Sequence, residues 1–334
     1  MLRLPPFDFV APKSLAEAAS ALAGEGPTTR LVAGGTDLWP NLKRRHQSAQ
    51  TVVSLMSVPG LAEITVNGEA RIGATALLSD IENHPALRAR YPAFAQAVAS
   101  ISSPPLRNMG TLGGNLCVDT RCTYYNQTED WRRGIGYCLK EKGTVCWVAT
   151  SSPKCLAHTA SDAAPMLQAL EARVRLVSKA GEGTTERIIP IQALYQDDGI
   201  AYLTKRSDEI LTEILLPKES DAEHCRSAFW KLRRRGSIDF AVLSAAVAVW
   251  MDAGGIVTKA NIVLGAVAPA PSAAHEAGEH LVGKQLTVDT IAEAAQLARN
   301  AATPFGNTDF QAQWRGTMVD KYVEAALRES AGLK

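Results

Sequence analysis

Two glycine pairs constrain the folding of this chain more than any other feature. "LVAGGTDL" covers residues 31–38 and "TLGGNL" covers residues 111–116. Each pair lies where an apolar run gives way to a polar or helical one, so each must turn the backbone sharply. Glycine lacks a Cβ, reaches left-handed φ, and lets other groups approach the backbone closely. In such a turn the amides of Gly34 to Asp37 converge, and converging amides cradle phosphate. The second turn adds Thr111 and Asn115 as side-chain donors. One glycine turn is usually just a bend, but two suit a diphosphate. The common nucleotide fingerprints are absent: no G-x-G-x-x-G follows a strand, and there is no G-x-x-x-x-G-K-[ST].

The elements around these turns predict three regions. Ser14-Leu15-Ala16-Glu17 is a capping box opening an Ala-rich helix that ends near Gly24. The strand "TRLVAGG", a helical segment at about 37–45 and the strand "TVVSL" at 51–55 follow, which predicts a small α/β unit over residues 1–56. Residues 57–218 open with "EITVNGEARIGA", whose alternation around Asn67-Gly68 predicts a hairpin with a type I′ turn. A helix from Leu77 to about Ile101 comes next, then the second glycine turn, then a helix and strand in "SDAAPMLQALEARVRLVS". Further strands are expected at about 186–191 and 209–216, and Pro217 to Glu223 reads as a linker. Residues 223–331 carry three long strand-like runs, with a turn at Gly254-Gly255, and helices at about 287–302 and 309–331. The fold class expected is α+β: a small α/β unit, a mixed sheet with helices, and a C-terminal antiparallel sheet with helices on one face.

Composition excludes some partners. A formal net charge of +1 over 334 residues gives no global field for nucleic acid, and Lys231 to Arg235 is the one basic cluster. No apolar run approaches the ~20 residues of a membrane span. Residues 1–14 lack the apolar stretch and cleavage site of a secretory leader, so the cytoplasm is the expected compartment. Thiols stay reduced there, and clustered cysteines then suggest a metal or redox centre before disulfides.

Four of the six cysteines do cluster: Cys122, Cys138, Cys146 and Cys155, spaced C-x15-C-x7-C-x8-C. Four thiolates suit tetrahedral zinc, but structural zinc sites favour close cysteine pairs and this spacing has none. A 4Fe–4S cluster takes one thiolate per iron, and its loop ligands can stand far apart in sequence. Spacing alone leaves cluster, zinc and disulfides open. No Ser–His–Asp or H-E-x-x-H pattern gives the chain hydrolytic chemistry of its own.

Taken in order, "VAGGTDL", "TLGGN" and "SDAAPMLQAL" resemble the FAD-binding medium subunit of molybdenum hydroxylases, the family of xanthine dehydrogenase and carbon monoxide dehydrogenase. The resemblance covers nearly the whole chain. It implies FAD contacts from Val32, Ala33, Gly34, Gly35, Thr36, Asp37 and Leu38, and from Thr111, Gly113, Gly114 and Asn115. Asp162 matches a family acid near the FAD, although "SDAAP" also reads as a helix N-cap. Lys231 matches a family lysine near the flavin, where a cation would stabilise the reduced anion; the alternative is a surface lysine at a strand end. No catalytic residue is expected here, because the substrate would bind another subunit.

Family members join the "GGN" turn to the "SD" element by a short connection, whereas Asn115 and Asp162 lie 47 positions apart here. That implies an insertion at about 117–160 holding the four cysteines. It is similar to the insertion of 4-hydroxybenzoyl-CoA reductase β subunits, which carries a 4Fe–4S cluster, and the resemblance makes Cys122, Cys138, Cys146 and Cys155 its ligands. Cys117 would be the substitute if one of these is misassigned, and Arg121, Arg132 and Arg133 read as solvated loop charges or as steering groups. The resemblance further implies a dimer of heterotrimers, with a large molybdenum-cofactor subunit and a small 2Fe–2S subunit. Electrons would run inward from ferredoxin or another carrier. A related hydroxylase or hydratase acting on a heterocycle, aldehyde or steroid would send them outward. A zinc-stabilised binding module without flavin is the alternative of another class.

Overall fold

The computed structural model describes residues 2–24, 28–218 and 225–333. Positions 219–223 of the expected linker lie outside the described residues. The described residues form three sheets: a three-stranded, a five-stranded and a four-stranded one.

The first sheet is parallel. Strands β1 (Asp8–Val10) and β2 (Thr29–Val32) flank β3 (Thr51–Ser54), with helices α1 (Leu15–Gly24) and α2 (Leu38–Lys43) between them in sequence. Crossover helices suit parallel pairing, because parallel strands cannot be joined by a tight turn. Ser14 caps α1 by accepting the Glu17 amide at 3.1 Å, while the Glu17 carboxylate takes the amide of Lys13. Val52 and Val53 are fully buried, so β3 is the centre of this unit.

The second sheet has the order β4 (Ile64–Asn67), β5 (Glu69–Gly73), β8 (Ile210–Leu216), β6 (Arg173–Ala180), β7 (Gly183–Pro190). The β4–β5 turn differs from expectation. Val66 pairs with Ala70, and only Gly68 has positive φ, at 75°. A type I′ turn needs positive φ at both central residues, and Asn67 does not supply it. The helix expected over 77–101 is three short helices, α3 (Leu78–Asn83), α4 (Pro85–Arg90) and α5 (Pro92–Ala99). Pro85 and Pro92 cause the breaks: each forces the preceding residue out of the helical region, and each then starts the next helix. His84 and Tyr91 accordingly have ψ of 116° and 61°.

After α6 (Pro104–Arg107) and α7 (Leu112–Leu116) comes the long cysteine-bearing segment, with one short helix, α8 (Glu129–Gly134). Its neck is closed by an antiparallel bridge in which Arg121 and His158 exchange backbone hydrogen bonds of 2.9 Å. Helix α9 (Ala163–Ala169) returns the chain to the core.

The third sheet is antiparallel: β9 (Cys225–Leu232), β10 (Leu243–Met251), β11 (Val257–Gly265) and β12 (Ser272–Ala273). Helices α10 (His275–Leu281), α11 (Val288–Ala298) and α12 (Ala312–Ala331) cover one face. The other face is buried too. Ala246 and Ala248 join the large core of the flavin region, while Ala245, Val247 and Val249 join the helical core. Alternate residues of β10 thus enter two cores, which is why it reads as one unbroken apolar run.

Candidate functional site

The two glycine turns meet across a cavity of about 1060 Å³. Residues 32–38 line one side, and Thr111, Gly113, Gly114 and Asn115 line another. The glycines are required by protein as well as by any ligand. A Cβ on Gly34 would stand 1.6 Å from the Met109 carbonyl oxygen, so this glycine lets the first loop touch the second. Gly35 has φ of 70°, and a Cβ there would meet Trp39 Nε1 at 2.0 Å. Gly113 packs against Ala74 with no room for a side chain.

Side chains fix the second turn. Thr111 caps α7 by accepting the Gly114 amide at 3.2 Å. Asn115 Oδ1 accepts from Ser161 Oγ at 2.8 Å and from the Ala163 amide at 3.3 Å, which ties the turn to the start of α9. Its amide nitrogen remains the donor. Tyr195 and Tyr202 donate to the carbonyls of Leu116 and Cys117 at 2.9 and 3.0 Å and brace the end of α7. Asp37 accepts from Asn41 at 2.8 Å and forms an ion pair with Arg121. Burial pushes its carboxyl above the usual range, and Arg121 opposes that shift.

Asp162 and Lys231 stand outside the cavity lining and pair with each other at 2.6 Å, both 4% exposed. Lys231 also donates to the carbonyls of Ser100 and Asp239, at 3.0 and 2.9 Å. It is therefore not a surface lysine. Asp162 precedes α9 but makes no side-chain cap, and its Oδ1 is buried without a partner. The N-cap alternative for Asp162 falls, because the side chain is spent on Lys231.

The four clustered cysteines come together. Cys122, Cys138, Cys146 and Cys155 are 5–7% exposed and line a second, small cavity with Tyr124, Tyr125 and Lys140. All six cysteines are free thiols. Cys117 lines the large cavity instead, and Cys225 packs against the core. Among the described residues, no three His, Cys, Asp or Glu side chains gather closely enough for one metal ion. Burial pushes Cys122 up to about 12 and Cys155 up to about 11, so any metal bound by these thiols would have to displace their protons. Close packing shapes the loops: a Cβ on Gly199 would meet Cys155 Sγ at 2.7 Å, and one on Gly143 would meet the Cys138 amide at 2.9 Å.

Two of the three loop arginines are not solvated. Arg132 is 1% exposed, paired with Glu129 and Glu141, and Arg121 is 12% exposed. Only Arg133, paired with Asp130, is the surface charge expected of it. Arg121 is held by Asp37, 84 positions away, whereas Arg132 is held by Glu129 and Glu141 of its own loop and also donates to the distant Arg44 carbonyl. Sequence reasoning missed Lys140, which with Tyr125 lines both cavities, and Asp119, which holds Lys140 at 2.6 Å. The one available signal was the position of Lys140, two residues after Cys138.

Comparison with known proteins assigns both parts of the chain. Residues 5–219 match the FAD binding domain in molybdopterin dehydrogenase, and residues 227–330 match the CO dehydrogenase flavoprotein C-terminal domain. The nicotinate dehydrogenase FAD-subunit of Eubacterium barkeri is 30% identical over 288 residues, 85% of this chain and 82% of that one. The carbon monoxide dehydrogenase medium chain of Hydrogenophaga pseudoflava is 26% identical over 98% of this chain and 99% of its own. A solved structure of reconstituted CO dehydrogenase from Oligotropha carboxidovorans superposes with a TM-score of 0.80, at 26% identity, covering 99% of this chain and 100% of that one. The flavin-free binding module is thereby set aside. No helix among the described residues is long and apolar enough to cross a membrane. The glycine cradle, the mixed sheet behind it and the antiparallel C-terminal sheet make this chain a member of the FAD-binding subunits of the molybdenum hydroxylase family, and so a subunit of an oxidoreductase.

Proposed function

We propose that this chain is the FAD- and 4Fe–4S-carrying electron-transfer subunit of a molybdenum-dependent oxidoreductase, and that the complex is a 4-hydroxybenzoyl-CoA reductase. One observation carries the cluster: four cysteines distant in sequence line a single cavity, and that cavity shares wall residues with the larger one. The thiol donor set suits iron–sulfur binding, with one thiolate for each iron of a cubane. Residues 32–38 with Thr111, Gly113, Gly114 and Asn115 would hold the FAD, the amides serving the diphosphate. Asp162 and Lys231 would act from behind this lining: the buried, unpartnered Asp162 Oδ1 is an acceptor in reserve, and Lys231 fixes the carboxylate. When bound, FAD supplies exchange between paired and single electrons.

In this reading the partners are a large molybdenum-cofactor subunit and a small 2Fe–2S subunit, in a dimer of heterotrimers. Ferredoxin would deliver the electrons, and the expected order of carriers would be 4Fe–4S, FAD, 2Fe–2S, molybdenum. The similarity of the insertion to those of 4-hydroxybenzoyl-CoA reductase β subunits supports the substrate, an aromatic acyl-CoA met in anaerobic aromatic degradation in the cytoplasm. Metal analysis of the purified FAD subunit, freed of its partners, tests the cofactor reading: about four iron and four sulfide per chain are expected. One equivalent of zinc, with iron well below that, would overturn it. The nature of the relatives favours a second reading, since nicotinate and carbon monoxide dehydrogenases take electrons from their substrates. Incubating the complex with reduced ferredoxin and 4-hydroxybenzoyl-CoA decides between them. Loss of the phenolic hydroxyl supports the inward route; flavin reduction by a heterocycle or aldehyde instead supports the outward one.

A further inference from the structure

Among the described residues, Lys140 and Tyr125 alone line both the flavin cavity and the cysteine cavity. They are a wall between the two. Tyr125 is fixed by its hydroxyl, which donates to the His46 carbonyl at 2.6 Å, and by a tilted contact with the His46 ring at 4.9 Å between centroids. Lys140 is fixed by charge. Its ammonium donates to Asp119 Oδ1 at 2.6 Å, to the Gly199 carbonyl at 2.8 Å and to Thr120, and it lies 4.9 Å from the centre of the Tyr125 ring. Both members of the pair are nearly buried, at 6% and 7% exposure. Gln47 donates to the other Asp119 oxygen at 3.2 Å.

The pair reaches both sites through the backbone as well. Gly199, which accepts from Lys140, donates its own amide to the Cys155 carbonyl at 2.8 Å. The charge of Lys140 favours the thiolates of Cys138 and Cys155. On the flavin side, Asp119 lies near Asp37, the carboxylate at the end of the first glycine loop. A buried charge acts at longer range than an exposed one, because little water screens it.

We infer that the Lys140–Asp119 pair is a shared electrostatic element that sets the potentials of the flavin and the iron–sulfur cluster together. The inference rests on the cofactor reading above. Its physical basis is simple: each reduction adds negative charge, so a nearby cation favours the reduced form and a nearby anion opposes it. The pair as built nearly cancels. Removing one member exposes the other.

The test uses the whole complex with four substitutions: Lys140→Met, Asp119→Asn, the two combined, and Lys140→Arg. Redox titration follows flavin absorbance and the electron paramagnetic resonance of the cluster. Lys140→Met is expected to shift both midpoint potentials downward, and Asp119→Asn to shift both upward. The double variant returns both toward wild type, and Lys140→Arg keeps them there. A structural role alone would not produce shifts of opposite sign that cancel. Lys140→Met leaves a buried carboxylate unpaired and can fail to fold. The double variant leaves none, so its potentials against Asp119→Asn report the same charge. Unshifted potentials in Asp119→Asn, shifts of the same sign in both single variants, or a shift confined to one cofactor overturn the inference. A wild-type FAD subunit that purifies without iron overturns the cluster reading itself, and the shared role falls with it.

Discussion

Gly34→Ala puts the joining of the two loops to a direct test. The new Cβ would lie 1.6 Å from the Met109 carbonyl oxygen and 2.5 Å from its carbon, against the 3.4 Å at which ordinary contact begins. A gap of about 1.8 Å must open, and both colliding groups are backbone, so no rotamer change relieves the clash. The Met109 side cannot yield freely. Met109 and Gly110 donate to the Leu106 carbonyl at 3.2 and 2.7 Å, and the Gly110 carbonyl accepts from the Leu78 amide at 2.9 Å. Overpacking of this kind costs about 1–3 kcal/mol, and a backbone clash belongs at the upper end. Strain of about 3 kcal/mol is relieved most directly by parting the loops. FAD held by both would then bind roughly a hundredfold more weakly. The assay is flavin retention by the purified complex, followed by a fluorescence titration of FAD into deflavinated complex. Gly134→Ala is the control: a Cβ there meets nothing within 4 Å, and no change is expected. Gly34→Ala binding FAD as wild type does, with unchanged thermal stability, would refute the argument.

Other consequences are equally measurable. Cys122→Ser should remove iron from this subunit and also loosen FAD, because Tyr125, three residues on, lines the flavin cavity. Iron lost with flavin affinity unchanged would show the insertion to be an independent appendage. Arg315→Met strips a fully buried guanidinium that donates to the carbonyls of Val242, Phe305 and Ala266, at 2.8, 2.8 and 2.6 Å. Orphaning these acceptors should cost several kcal/mol, at about 1–3 each, read as a lower unfolding midpoint. Burial lowers His158 to about 4, so the folded chain keeps it neutral. A depressed histidine binds its proton in the unfolded state first, near pH 6.5, so stability falls as pH drops from there towards 4. The full loss is on the order of 3 kcal/mol, and His158→Gln should flatten that part of the stability–pH curve.

Much of the fold was legible because its signals are local. The Ser14 cap, the glycine pairs, the run of β10 and the proline breaks act within a few residues of themselves. The long helix expected over 77–101 shows how a local signal can still be misjudged. Its apolar pattern continues through Pro85 and Pro92, but the missing amides and the pre-proline clash divide it into three. The Asn67-Gly68 turn failed differently, since strand pairing took a register that leaves only Gly68 left-handed. The pairings around the site were not legible at all. Asp37 with Arg121 spans 84 positions and Asp162 with Lys231 spans 69, and neither side chain names its partner.

The sequence by itself determined the residue types the chemistry needs: glycines where the backbone must turn closely, and four thiols in one inserted segment. It also determined the alternation that builds each sheet. Tertiary structure decided what those residues do together. It seated Gly34 against Met109, gathered four separated thiols about one cavity, and put Lys140 in the wall between that cavity and the flavin's. The reason is physical. Turns, caps and strand periods are set by neighbours along the chain. A buried charge or thiol instead answers to whatever groups packing brings within a few ångströms, and sequence distance carries no information about that.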